Sequence, residues 1–217
     1  MRPRHVRPIA SGALLALVAG CGPFATETTG GTGGASTTTL HPDASPLPGE
    51  SACTVVERTG IPEPDFNHLP ICTPITYATN PPSGGNHWPI WAAYTEYTTP
   101  VPRELYVHDM EHGGVVLLYK CEGACPTVVA ALSAAFEAVS DPTCADPPKA
   151  RMVLTPDPLL DTPIAAGAWG ATYTATCIDP PSLAAFITAH YRHGREDFCT
   201  DGVDVEGVTS SCAGGGG

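Results

Sequence analysis

Residues 115–136, VVLLYKCEGACPTVVAALSAAF, decide how the rest of the chain can fold. The run GVVLLYK, residues 114–120, is apolar almost throughout, which is typical of a buried central strand. Pro126 then stands where helices favour proline, in the first turn. Apolar side chains recur after it at three- and four-residue spacing, which predicts an amphipathic helix over 126–139 that packs through Val129, Leu132, Phe136 and Val139.

The elements that follow set the fold class. Segments 150–156 and 164–177 have the composition of strands, the second bent at Gly167 or Gly170, and 182–194 has the apolar spacing of a helix. The order strand, helix, strand, strand, helix predicts an α+β fold of two layers, with a small mixed sheet, two helices and a loop-rich N-terminal segment that includes a strand at 75–79.

A degenerate thioredoxin-like fold is the alternative. A strand that leads into CxxxCP and a helix, with cysteines at 121 and 125, resembles the copper site of Sco-type copper-assembly proteins, which have a thioredoxin fold. Thiolates near a helix N-terminus are stabilised, and a thiolate pair prefers Cu(I). The competing interpretation of Cys121 and Cys125 is a local disulfide, or two separate disulfides to different partners.

The first 21 residues indicate export. A basic start precedes an apolar stretch that is too short to span a bilayer, and LVAGC at 17–21 resembles a bacterial lipobox, which implies a signal peptide and lipidation of Cys21. A plain signal peptide is the alternative. Gly22 replaces the Asp that retains Gram-negative lipoproteins in the inner membrane, so we expect an outer-membrane anchor facing the periplasm or the cell surface.

Composition divides the remainder of the chain. Residues 22–50 are rich in Gly, Thr, Ser and Pro, which predicts a disordered tether, and 213–217 is predicted to be a disordered tail. Residues 51–212 then form one disulfide-stapled domain. The net charge of −12 argues against binding to nucleic acid, which requires basic patches.

Eight cysteines remain when Cys21 is set aside from the nine in the chain. An even number in an oxidising compartment predicts up to four disulfides, whose pairing the sequence does not determine. Cys53 and Cys72 are candidates for closing the irregular segment between them as a loop.

A compact set of metal-ligating side chains lies before the central strand. His108 and His112 are four residues apart with Glu111 between them, and His87 comes from the loop PPSGGNHWP. Three imidazoles and a carboxylate suit copper or zinc. The sequence HDMEH at 108–112 differs from the zinc-protease motif HExxH. The general base of that motif is therefore missing, and a protease function is disfavoured.

The same motifs carry a family resemblance. PPSGGNHWP, YVHDMEHGGVVLLY, IAAGAWG and LAAFITAHYR together resemble the bacterial domain of unknown function family numbered 3105, over Tyr77 to Arg192. The resemblance implies secretion or membrane attachment, and it implies that the family's signature is carried by His87, His108, Glu111, His112 and Gly113.

These observations leave three hypotheses for function. The first is an exported, lipid-anchored protein that binds copper, or zinc as the second choice, for delivery, sensing or simple binding, without catalysis. The second is a metal- or thiol-dependent oxidoreductase that uses Cys121 and Cys125. The third is a disulfide-stapled binding module with structural histidines.

Overall fold

The computed structural model describes residues 26–30, 34–144 and 149–213. Within these ranges, seven strands and four helices follow one another. The strands are β1 Thr26–Gly30, β2 Ser36–Leu40, β3 Val55–Thr59, β4 Val115–Tyr119, β5 Met152–Pro156, β6 Ile164–Ala168 and β7 Ala171–Ala175. The helices are α1 Arg103–Glu111, α2 Pro126–Glu137, α3 Pro180–His190 and α4 Val205–Ala213.

All seven strands belong to one mixed sheet in the order β1-β2-β3-β7-β6-β4-β5. Only β4 and β5 are parallel, and α2 connects them, as a crossover between parallel strands requires. The predicted α+β class is confirmed. The predicted β-α-β-β-α order becomes β-α-β-β-β-α from β4 to α3, because segment 164–177 forms the two strands of a hairpin. The sheet is larger than predicted, because three strands that precede β4 in sequence extend it beyond β7.

Both faces of the sheet are covered. Val115 and Leu117 of β4 pack into the core beneath α2 and α3, whereas Val116 and Leu118 pack into a second core with α1. Side chains alternate between the faces of a strand, so a strand that is apolar at every position must be buried on both sides. The continuous apolar run in the sequence therefore indicated a third layer, on the other face of the sheet, that the two-layer prediction left out.

The local predictions are confirmed in part. The hairpin between β6 and β7 turns at Gly170, one of the two bends predicted. The helix predicted over 182–194 begins earlier, at Pro180, where Asp179 accepts a hydrogen bond from the Ser182 amide, and it ends at His190. Residues 75–79 do not form the predicted strand. Residues 157–163 connect β5 to β6 without a helix, so this unit lacks the second crossover helix of a complete thioredoxin-like fold.

The structure differs from the predicted disordered tether at 22–50. Strands β1 and β2 form an antiparallel hairpin, and β2 pairs with β3 from Ser36 opposite Thr59 to Leu40 opposite Val55. The prediction was wrong there because backbone pairing does not require apolar side chains, and β-branched threonines suit strands. The predicted leader at 1–21, with Cys21, and all of the predicted tail except its first residue lie outside the described residues.

Four disulfides close the domain: Cys53–Cys177, Cys72–Cys212, Cys121–Cys125 and Cys144–Cys199. The suggested Cys53–Cys72 loop was therefore wrong, because each of the two cysteines is bonded to the C-terminal part of the chain. Four bridges indicate an oxidising, exported environment. Within the described ranges, no helix combines the length and apolarity needed to cross a membrane.

A buried arginine joins the helices to the sheet. Arg151, at the start of β5, is fully buried and donates hydrogen bonds to Asp141 Oδ2 at 3.0 Å, to the His112 carbonyl at 2.8 Å and to Asp197 Oδ1 at 2.6 Å. The hydroxyl of Tyr191 accepts from the Arg151 amide and donates to Asp141. Burial raises the pKa of the Asp141 carboxyl, but hydrogen bonds from Thr143, Tyr191 and Arg151 outweigh burial and hold that pKa well below its usual range.

Because the folded-state pKa of Asp141 is depressed, its contribution to stability is present above the unfolded-state pKa of about 4 and is lost as the pH falls. We expect Asp141→Asn to lower the free energy of unfolding at pH 7 by about 3 kcal/mol, since it leaves the Arg151 charge poorly paired. At pH 3 the difference from wild type should be smaller. Urea unfolding at both pH values measures this. Asp43→Asn, at an exposed position, is the control, and an equal loss at both pH values would contradict the prediction.

Candidate metal centre

Helix α1 supplies two of the candidate ligands. It is almost entirely buried, and His108 and Glu111 lie three residues apart, so both side chains point to the same side. Gly113 follows with φ +83°, a conformation that favours glycine, and a Cβ there would lie 2.9 Å from the Arg192 backbone. This tight reversal leads directly into β4 and fixes α1 against the sheet.

Two loops supply the remaining ligands, and their backbones are joined. His87 donates its amide hydrogen to the Asn67 carbonyl at 3.2 Å, and the Leu69 amide donates to the His87 carbonyl at 2.8 Å. The side chain of Asn86 accepts hydrogen bonds from the backbone and side-chain nitrogens of Asn67. This short parallel bridge brings His68 beside His87, with ring centroids 4.9 Å apart.

Four side chains converge at this point, and we call them the imidazole–carboxylate cluster: His68, His87, His108 and Glu111. One potential ligand atom from each lies within 4.8 Å of all the others. The Glu111 Oε2 atom is 2.9 Å from His87 Nε2, 3.7 Å from His68 Nε2 and 3.9 Å from His108 Nε2. Ligands at tetrahedral zinc, with bonds near 2.0–2.1 Å, lie about 3.3 Å from one another, so small side-chain movements bring these atoms to ligand distance.

Backbone carbonyls fix the orientation of two of the rings. His87 Nδ1 lies 2.8 Å from the Gly85 carbonyl, and His108 Nδ1 lies 2.7 Å from the Trp88 carbonyl. Carbonyls only accept, so each Nδ1 carries the hydrogen, and in a neutral ring Nε2 then has a free lone pair. Both Nε2 atoms face Glu111. His87 Nε2 is buried and, among the described residues, has no partner with hydrogen-bond geometry despite its short approach to Oε2.

The ionisation of the cluster follows from its burial and its neighbours. Burial lowers the pKa of His108 to about 3, with the adjacent His87 and His112 acting in the same direction. Burial raises the pKa of Glu111, but the neighbouring His87, His108 and His68 outweigh burial and lower it overall. The Glu111 Oε1 atom lies 3.4 Å from Arg195 Nε. At neutral pH the cluster therefore presents a carboxylate and a neutral His108 imidazole, the forms that bind metal ions.

His112 lies beside the cluster but does not belong to it. Its ring centroid is 4.5 Å from that of His108, while its Nε2 atom faces Glu196 at 3.4 Å. The structure thus brings together three of the four predicted metal ligands, His87, His108 and Glu111, and places His68 in the position expected of His112. Cys121 and Cys125 lie elsewhere, bonded to each other in front of α2.

His68 was missed because it sits in an irregular, proline-rich segment. A signal for it exists in the sequence: NHLP at 67–70 repeats the pattern NHxP of NHWP at 86–89. The two copies form the backbone bridge described above, and each contributes its histidine to the cluster. The repeat is too short to predict a site by itself, and its significance follows only from the pairing of the two loops in the structure.

Within the described residues, the cluster is exposed to solvent mainly through His68. The side chain of His68 is 51% exposed, whereas those of His87, His108 and Glu111 are at most 8% exposed. Near this side, the Arg195 guanidinium stacks on the exposed ring of Phe66. Trp91 closes another side, with its ring 5.0 Å from His108 and 4.5 Å from His112. An ion would therefore reach the cluster past His68.

Comparison with known proteins yields a family and no characterised relative. The sequence model of the family described as "Protein of unknown function (DUF3105)" matches residues 68–201, more than half of the chain. The match begins at His68 and includes the whole imidazole–carboxylate cluster. Neither the curated proteins nor the solved structures contain a match to this chain.

The hydrogen bonds to Gly85 and Trp88 predict which ring nitrogen carries the proton. In the metal-free protein we expect Nδ1 of both His87 and His108 to carry a hydrogen, and we expect His108 to be neutral at pH 7 and at pH 5, since its pKa is about 3. Long-range ¹H–¹⁵N NMR distinguishes the two tautomers and the imidazolium. An Nδ1 without hydrogen in either ring would show that the rings are not oriented as described, and an imidazolium signal from His108 at pH 5 would show that burial does not lower its pKa to about 3.

Proposed function

The chain belongs to the DUF3105 family, and we propose that it is an exported metal-binding protein whose ion is held by His68, His87, His108 and Glu111. One observation carries the proposal. Two buried imidazoles donate from Nδ1 to backbone carbonyls and direct Nε2 at a carboxylate. Metal-binding histidines characteristically make this second hydrogen bond, which fixes the ring and its tautomer.

A cation accounts for the cluster better than hydrogen bonding does. The Nε2 lone pairs of His87 and His108 and the Oε2 lone pairs of Glu111 face one another with no hydrogen between them in the neutral tautomers. Buried polar atoms without partners are costly, and buried lone pairs in contact also repel. A divalent ion at their centre would satisfy all of them at once.

The donor set favours copper(II), with zinc as the alternative. Three imidazole nitrogens and a carboxylate oxygen are suitable ligands for both ions. All eight cysteines in the described ranges are in disulfides, so thiolates, which favour copper(I), are not offered. Sites of this kind bind copper(II) more tightly than zinc unless geometry prevents it, following the Irving–Williams order.

The biological setting we propose is metal delivery or sensing outside the cytoplasm. The lipobox-like LVAGC sequence supports lipidation at Cys21 and attachment to the outer membrane. Three ligands are buried and one is half exposed, so an incoming donor from a partner can displace His68 while the other three retain the ion. A buried structural ion would need no such ligand.

We expect purified protein to bind one copper(II) ion per chain, and zinc more weakly, by equilibrium dialysis with elemental analysis. His108→Ala should lower the affinity by more than the roughly 10–100-fold that loss of an outer hydrogen-bond partner costs. Quenching of Trp91 fluorescence provides a second readout, since its ring is 5.0 Å from His108. His41→Ala, far from the cluster in sequence, is the control. A protein that binds neither ion contradicts the proposal and supports structural histidines.

The assignment of His68 as the third imidazole ligand is the most specific part of the proposal. His68→Ala should weaken copper(II) binding and speed the release of the ion to a chelator by about tenfold or more, in line with the loss of a ligand-shell contact. His112→Ala should leave the affinity nearly unchanged, because its Nε2 atom faces Glu196 instead of the cluster. Stopped-flow release to excess EDTA measures both. The opposite ranking of the two variants would place His112 in the site and remove His68 from it.

A further inference from the structure

One disulfide differs from the other three in where it lies. Cys121 follows β4, and Cys125 is the residue immediately before α2, so the bridge spans the entrance to the helix. Both cysteines line an open groove with a volume of about 550 Å³. The groove is also lined by residues 47–50 and by 161–163, which lead into β6. The volume is in the range of about 300–1,000 Å³ typical of ligand sites.

The same disulfide contributes least to holding the fold. Its cysteines are four residues apart, whereas the other bridges span 124, 140 and 55 residues. The stabilisation that a bridge gives by restricting the unfolded chain grows with the length of the loop it closes. Both cysteines of the Cys53–Cys177 bridge are also buried, and so is Cys144 of the Cys144–Cys199 bridge. A disulfide that adds little stability and faces a groove is in a position to react with a thiol of another molecule.

We propose that the Cys121–Cys125 disulfide is a thiol–disulfide exchange site that oxidises cysteine pairs of a client polypeptide bound in this groove. This site is separate from the imidazole–carboxylate cluster and does not depend on the proposed metal function. The other three disulfides remain intact while it turns over.

The exchange proceeds in two steps. A client thiolate attacks Sγ of Cys121, the Cys121–Cys125 bond breaks, and Cys125 leaves as a thiolate in front of α2, where the helix N-terminus stabilises negative charge. A second client thiolate then attacks the mixed disulfide and releases Cys121. The client loses two electrons and two protons and gains a disulfide, while Cys121 and Cys125 become thiols. A disulfide-bearing oxidant restores the bridge by the reverse exchange.

The charge of the groove selects the client. Glu50, Glu122 and Asp161 line it, and the one lysine that faces it, Lys120, donates its Nζ hydrogen to the Leu160 carbonyl. Leu47 and Pro163 add apolar surface. A segment with a basic residue beside its cysteine is attracted to these carboxylates, whereas an acidic thiol is repelled. We therefore assign the groove to neutral or basic cysteine-containing segments.

Graded reduction tests the site in the whole folded protein. The protein is treated with increasing dithiothreitol, alkylated with iodoacetamide and mapped by peptide mass spectrometry. Cys121 and Cys125 should be alkylated first, while Cys72 and Cys212 remain bonded. The Cys72–Cys212 bridge is the comparison, because Cys72 is exposed, more so than the partly exposed Cys121 and Cys125, but its bridge spans 140 residues. Reduction of Cys121–Cys125 together with or after Cys72–Cys212 overturns the proposal.

Charge-matched thiols test the groove itself. Cationic cysteamine should reduce the bridge about tenfold faster than anionic mercaptopropionate at equal thiolate concentration, and the ratio should fall as salt is added. Glu122→Gln should reduce the ratio, whereas Glu206→Gln, an exposed carboxylate on α4, should not change it. Equal rates for the two thiols, or a ratio of rates that does not respond to salt, would show that the groove does not take part in the reaction.

A trapping variant tests the order of attack and also detects oxidation of a client. In Cys125→Ser, Cys121 is first converted to a mixed disulfide with thionitrobenzoate by Ellman's reagent. A basic peptide with a single cysteine should displace thionitrobenzoate from Cys121, and the resulting peptide adduct should persist because no second thiol resolves it. Wild-type protein should convert the corresponding dithiol peptide to its disulfide form with loss of one Cys121–Cys125 bridge per peptide. A wild-type protein that leaves the peptide reduced shows that the bridge is only a local staple.

Discussion

The fold depends on one buried charge. Arg151 carries its guanidinium into the interior at the start of β5, where the cost of removing a charge from water must be offset by partners. Asp141 supplies the opposite charge, and the carbonyl of His112 accepts a further hydrogen bond directly after α1. Asp197 completes the contacts from the segment that follows α3. Three separate parts of the chain are thereby held at one point beside the sheet.

This anchoring is what gives the imidazole–carboxylate cluster its rigidity. The end of α1, which carries Glu111, is fixed between Arg151 and β4, and the loop that carries His87 is fixed by main-chain hydrogen bonds. Among the four residues of the cluster, only His68 has a side chain that is about half exposed to solvent. If the cluster binds an ion as proposed, three ligands are preorganised before the ion arrives and one adjusts, which would favour both affinity and exchange.

Local sequence patterns predicted the strands and helices from β4 to α3, but only part of how the chain is arranged around them. The apolar run at 114–120 and the periodic residues after Pro126 correctly gave β4 and α2, because burial and helix packing act over a few residues. The hairpin β1–β2 was missed, since strands formed by threonine and glycine carry no apolar signal. For the site, the four-residue spacing predicted that His108 and His112 act together, whereas in the structure Glu111 joins His108 and His112 faces Glu196. His68 was found only through tertiary pairing of two loops, which no local pattern contains.

The unexpected hairpin changes where this domain would sit in the cell. If Cys21 is acylated as proposed, only residues 22–25 separate the lipid from the first residue of β1. Four residues span at most about 14 Å when fully extended. The edge of the seven-stranded sheet would then rest at the lipid headgroups instead of being held away from them on a long tether. Such a protein would sample a thin layer next to the membrane surface, and its partners would be other molecules confined to that layer.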